Sequence, residues 1–201
     1  MHLVCLDLEG VLVPEVWIAF SQAAGIPELR RTTRDEPDYD KLMRFRLNLL
    51  EKKGLKLPDI QKVIEKMDPL EGALEFVEKL KERTQFIILS DTYEEFAKPL
   101  MKKLNYPTLF CNSLECAADG SITGYKLRQK NSKQAAVRAL ALLNINVFAA
   151  GDSFNDLDMI REAKKGCLFR APETIQKECS GIPCVGTYDE LLEQIDGFLQ
   201  S

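Results

Sequence analysis

Leu3-Val4-Cys5-Leu6-Asp7-Leu8-Glu9-Gly10 starts as an unbroken apolar run and then meets two carboxylates and a glycine. A strand that is apolar at every position is covered on both faces, as in a parallel sheet; a half-exposed strand would alternate. Runs of the same kind recur at 86–89 and 147–150, with weaker ones at 167–169 and 183–185. Between them, 71–83, 93–103, 132–143, 155–164 and 189–199 carry apolar residues at helical spacing. Strand and helix therefore alternate, and right-handed crossovers follow. The expected fold is α/β, a doubly wound and mostly parallel sheet.

Two segments interrupt that alternation. After the first run come roughly fifty residues with three helix-like stretches, 14–24, 39–53 and 58–66, which read as a helical cap. The expected organisation is a catalytic core from 1–12 and 69–201, with a cap at 13–68. The second interruption is 114–125, where Asp119-Gly120 separates two short alternating runs and predicts an antiparallel hairpin.

Composition narrows the function. The 201 residues can bury a core without disulfides. A net charge of -4 argues against a sequence-independent grip on nucleic acid, so the expected partner is a small molecule. The six cysteines form no CxxC pair and have mostly apolar neighbours, which predicts buried thiols in a reducing, cytoplasmic setting. Neither a basic start with a long apolar stretch nor an 18-residue apolar run is present, so export and membrane insertion are not expected. The single histidine, His2, stands at the very start of the first strand and makes a Ser-His-Asp triad or a multi-histidine zinc site hard to build. Acid-base work falls to carboxylates.

In an open α/β sheet, ligands bind beyond the carboxyl ends of the strands. The polar residues at those ends are Asp7-Leu8-Glu9-Gly10, Ser90-Asp91-Thr92 and Gly151-Asp152-Ser153-Phe154-Asn155-Asp156, and Lys133 opens the helix before the last group. Singly, each has a plainer explanation as a cap, a dipole-compatible acid or a surface charge. Together they meet the needs of phosphoryl transfer: a nucleophile, a proton donor, a divalent ion and a cation for the phosphoryl oxygens. Asp7 is the candidate nucleophile. Magnesium suits a ligand set of Asp7, the Glu9 main-chain carbonyl and Asp152, with Asp156 holding a metal-bound water.

These residues resemble the haloacid dehalogenase superfamily, whose pattern runs Asp-x-Asp, Ser/Thr, Lys, Gly-Asp-x-x-x-Asp. The matching positions are Asp7-x-Glu9, Ser90, Lys133 and Gly151-Asp152-x-x-x-Asp156. The finer likeness is to its phosphoserine phosphatase branch, including members that also transfer the phosphoryl group to homoserine. It rests on residues 5–14, 88–92, 125–130 and 150–155. The resemblance implies a Rossmann-like core, an aspartyl-phosphate on Asp7, O-phospho-L-serine as donor, and water or L-homoserine as acceptor. It further implies that Ser90 holds a phosphate oxygen, Asp91 lines the site, Lys133 neutralises phosphoryl charge and Asn155 contacts substrate. Two positions depart from the pattern. Glu9 stands where aspartate is usual and Val11 where threonine is, which bears on the acid role of Glu9.

In the cap, Arg46 shares an inward stripe with Leu42, Met43, Leu49 and Leu50, whereas Arg44 falls on the polar face. A buried guanidinium needs an anion, either a substrate carboxylate or a cap acid such as Glu15. By the resemblance, Arg46 takes the α-carboxylate and Glu15 the α-ammonium of phosphoserine. Trp17, Phe20 and Phe45 are candidates for the pocket wall or the cap core. Two alternatives stay open: an enzyme for another small phosphate ester, and a receiver-type module that stores a phosphate on aspartate.

Overall fold

The computed structural model describes residues 1–32, 35–36 and 38–201. Its sheet has seven strands: β1 (His2–Leu6), β2 (Gln85–Tyr93), β3 (Leu109–Cys116), β4 (Ile122–Lys126), β5 (Asn146–Gly151), β6 (Lys165–Phe169) and β7 (Cys184–Val185). Their order is β4-β3-β2-β1-β5-β6-β7. All neighbours run parallel except β3 and β4, which form the hairpin expected from Asp119-Gly120. The fold is the doubly wound α/β class read from the sequence.

β1 lies at the centre for the reason its composition suggests. Val4 and Leu6 enter one core while Leu3 and Cys5 enter the other, so its two-residue period fills both faces. Helices α4 (Ala73–Arg83), α5 (Glu94–Lys103) and α9 (Tyr188–Leu199) cover the first face. The second is covered by α6 (Ser132–Leu142), α7 (Leu157–Glu162) and α8 (Glu173–Glu178). The chain moves outward from β1 through β2 and β3, then returns to β5 on the other side of β1. That reversal opens a crevice at the carboxyl ends of β1 and β5.

Over the crevice lie α1 (Val16–Ala24), α2 (Tyr39–Lys53) and α3 (Leu57–Ile64). The α2 helix begins where Asp38 accepts the Lys41 amide at 3.1 Å and stops at Gly54. It buries Leu42, Met43 and Leu50, each worth about 1.5–3 kcal/mol. The hairpin reaches back to these helices. Lys56 Nζ lies 2.7 Å from Asp119, the Leu57 amide donates to Gly120 O at 2.9 Å, and Tyr125 donates to Asp40 at 2.6 Å.

Several expectations need correcting. β1 ends at Leu6 because the chain turns at once, the amides of Leu12 and Val13 both donating to Leu8 O. The stretch expected as a helix over 155–164 is a 3-10 turn (Phe154–Asp156) followed by α7, because Asp156 spends its side chain on the turn instead of projecting from a helix. Of the six cysteines, Cys116 and Cys184 are exposed; each sits near a sheet edge, where no second layer covers it. Among the described residues, no helix is long and apolar enough to cross a membrane.

Candidate active site

The crevice holds a cavity of about 370 Å³ whose wall includes Asp7, Glu9, Glu15, Arg46, Ser90, Asp91, Lys133, Asp152 and Asn155. These nine residues read from the sequence thus line one space, whereas Asp156, read as holding a metal-bound water, lies beneath it.

Asp7 follows β1 directly and stays in register, its amide donating to Ala150 O at 2.9 Å. Lys133, from the first turn of α6, places Nζ 2.8 Å from Asp7 Oδ1 and 2.7 Å from Asp156 Oδ1. The other Asp156 oxygen accepts the amides of Asp152 and Ser153, both at 3.1 Å. Asp156 is therefore fully occupied in aiming Lys133 and closing the turn. Gly151 permits this, since a Cβ there would lie 2.2 Å from Asp156 Cγ.

Negative charge gathers at the cavity floor. Carboxylate oxygens of Asp7, Asp152 and Asp156 lie within 4.8 Å of one another, and Lys133 contacts two of these groups, Asp7 and Asp156. Burial first, and then Asp156, push the Asp7 pKa well above the carboxylate range, Lys133 only partly opposing them. Burial works against the Lys133 charge, yet Asp156 and Asp7 outweigh it and keep the amine protonated. A divalent cation fits this donor set in charge and in oxygen chemistry. Asp7, Asp152 and Asp156 are the carboxylates grouped closely enough to hold one, and Asp156 also carries Lys133 and two backbone amides. Gly10, at φ +80°, lets the turn after Glu9 pass so close that a Cβ would lie 2.5 Å from Asp152 Oδ2.

Glu9 Oε2 accepts the Val16 amide at 2.9 Å. It supplies the N-terminal acceptor of α1, a task the Glu15 side chain at the N-cap does not perform. Ser90 is buried with Oγ accepting the Thr92 amide at 3.2 Å. Asp91 accepts from Asn155 Nδ2 at 2.9 Å and from Ser132 Oγ at 3.4 Å. Asn155 thus rests on Asp91 at the rim, and the Ser153 hydroxyl also donates to it.

Above this floor, Arg46 is 5% exposed. Nη2 donates to Arg31 O at 2.6 Å, Nη1 lies 3.7 Å from Met43 Sδ, and the guanidinium stacks 4.4 Å over Trp17. None of these contacts is a carboxylate, and Nε is buried with no partner among the described residues. Desolvation lowers its pKa, while Tyr39, Glu9, Tyr93 and Glu15 act in the opposite direction. Of the three aromatic candidates, Trp17 lines the cavity; Phe20 is core, and Phe45 carries the Arg31 guanidinium at 4.9 Å. Sequence reasoning missed Tyr39 and Tyr93, which line the cavity as a pair. The clue was spacing, because Tyr39 precedes Arg46 by seven residues and shares its helical face.

A buried aspartate beside a lysine, an acidic cluster that could hold a metal ion and a covering set of helices define a class. A haloacid dehalogenase-like hydrolase family model matches residues 1–164, and the chain belongs to that family. Within it, the relatives are phosphoserine phosphatases. Phosphoserine phosphatase ThrH of Pseudomonas aeruginosa is 54% identical over 191 residues, covering 95% of this chain and 93% of the relative. A phosphoserine phosphatase of Pseudomonas syringae pv. tomato is 52% identical, covering 96% and 82%. The fold matches a crystal structure of phosphoserine phosphatase in apo form with a TM-score of 0.77 at 24% identity, covering 96% and 98%.

Proposed function

We propose that this protein hydrolyses O-phospho-L-serine through an aspartyl-phosphate on Asp7 and passes the phosphoryl group to L-homoserine when that alcohol occupies the site. The observation that carries this is the pairing, in one cavity, of a buried Asp7-Lys133 floor with a buried, part-unpartnered Arg46. Residues 13–68 act as a cap on a core of 1–12 and 69–201, closing over substrate and excluding water.

In the first half-reaction the Asp7 oxygen not held by Lys133 bonds to phosphorus. The bond to the serine oxygen breaks, and Glu9 gives that oxygen a proton. The Glu9 oxygen away from Val16 is the one placed to carry it. Lys133 offsets charge on the phosphoryl oxygens and Ser90 donates to one of them. In the second half the acceptor hydroxyl gives its proton to Glu9 as its oxygen bonds to phosphorus and the Asp7 bond breaks. Asp7, the Glu9 carbonyl and Asp152 would hold magnesium, which when bound would relieve the repulsion between carboxylate and phosphate. Arg46 takes the substrate carboxylate, Glu15 the ammonium, Asp91 lines the site and Asn155 contacts the bound substrate. Six free cysteines support a reducing, cytoplasmic setting.

The test is product analysis with magnesium and O-phosphoserine, with and without homoserine, against Asp7→Asn. Serine and phosphate, diverted to phosphohomoserine by homoserine and absent in the variant, are the expected products. Phosphate release that ignores homoserine would remove the transfer half, and no turnover would remove phosphoserine as substrate. The longer side chain of Glu9 favours an alcohol over water, so Glu9→Asp is expected to lower the homoserine-to-water partition. An unchanged ratio would sink that link.

A further inference from the structure

Two tyrosines on the cavity wall have no part in the chemistry above. Tyr39 opens α2 and Tyr93 ends β2, and their phenol oxygens lie 2.6 Å apart. Tyr93 is 1% exposed and Tyr39 is half-buried. Burial pushes Tyr39 up to about 12 and Tyr93 higher still, so both keep their protons at neutral pH. Two hydroxyl hydrogens then serve one mutual hydrogen bond. Whichever phenol donates, the other hydrogen has no acceptor among the described residues.

The α2 helix sets where that spare hydrogen goes. Tyr39, Leu42 and Arg46 stand at i, i+3 and i+7, on one helical face, and all three line the cavity. Arg46 Nε is a second buried donor without a partner among the described residues. The cap side of the cavity therefore offers two unmatched donors, one of them cationic, along the same stripe. A group with two anionic oxygens satisfies both, and an alkyl or ammonium group satisfies neither.

We propose that Tyr39 is a specificity-determining residue that donates to the same carboxylate as Arg46, with Tyr93 as a positioning residue that donates to Tyr39 and orients it. This rests on the carboxylate reading of Arg46. It makes the preferred substrate a phosphomonoester carrying a carboxylate, because an ester without one leaves two buried donors unmatched.

The test compares kcat/KM for O-phosphoserine and O-phosphoethanolamine, which lacks the carboxylate, in Tyr39→Phe, Tyr93→Phe, the double variant and Arg46→Ala. Replacing both phenols keeps the ring shapes and leaves no orphaned hydroxyl, so the double variant should fold, as a thermal melt will report. Tyr39→Phe and the double variant are expected to lose about tenfold or more on phosphoserine and to keep phosphoethanolamine turnover within about twofold. Tyr93→Phe should lose less, mainly in KM, and add nothing to Tyr39→Phe. Equal losses on both substrates, or no loss on either, overturn the assignment to the tyrosines alone, provided Arg46→Ala still removes the preference for phosphoserine. If Arg46→Ala also leaves that preference intact, the carboxylate reading fails with it.

Discussion

Lys133 and Arg46 are almost equally buried, at 4% and 5% exposure, and they face each other's halves of one cavity, yet their surroundings differ. Lys133 is gripped by two carboxylates, one of which is itself held by two backbone amides. Arg46 has a carbonyl, a sulfur, an indole face and one idle nitrogen. The lower half is assembled before any ligand arrives, which is what charge-stabilising catalysis requires. The upper half is left short of acceptors, so a ligand that supplies them gains there. In the proposed mechanism, chemistry and recognition are separated by how completely each cation is satisfied.

The sharpest way to break this contrast is to remove each cation in turn. Lys133→Met leaves two buried carboxylates uncompensated and is expected to cost about 3–5 kcal/mol in denaturant unfolding, along with activity. Arg46→Met removes a charge that lacks a full complement of partners, so stability should shift by less than about 1.5 kcal/mol in either direction. Its cost falls instead on kcat/KM for phosphoserine, by about 10²-fold. Equal destabilisation by the two variants would erase the distinction.

A gentler probe adds a divalent ion to the acidic floor. Millimolar magnesium is expected to raise Tm by several degrees, because an ion that binds only the folded state stabilises it, and Asp152→Asn should abolish the rise. The smallest effect lies at the hairpin tip. Lys56 holds Asp119 down to about 2, so this contact stabilises fully above the ordinary aspartate value near 4 and is lost as pH falls through about 2. Lys56→Met is then expected to lower Tm by no more than about 2 °C at pH 6, and the gap should narrow only on acidification below about 4.

What could be read in advance followed from chemistry concentrated at element boundaries. Asp7, Lys133 and the turn from Gly151 to Asp156 were visible because charged residues abruptly end apolar runs or begin helices. The continuous apolar character of residues 3–6 announced a central strand. Harder to see were features that depend on distant residues. Ser90-Asp91-Thr92 looked like the end of a strand, but β2 extends to Tyr93 because Tyr93 pairs with Asn112 of β3. The Tyr39-Tyr93 bond spans 54 positions, and a phenol at helical spacing looks the same as core until its partner is known. The break in the helix expected over 155–164 arose from side-chain bonding by Asp156, which periodicity does not register.

Glu9 deserves a last look in mechanical terms. The carboxylate assigned to proton delivery also anchors the first amide of α1, the leading helix over the cavity. Under the proposed mechanism, a swing of that helix would pull on the same side chain that meets the leaving oxygen. Opening the entrance and withdrawing the acid would then be one motion, with proton delivery timed by closure.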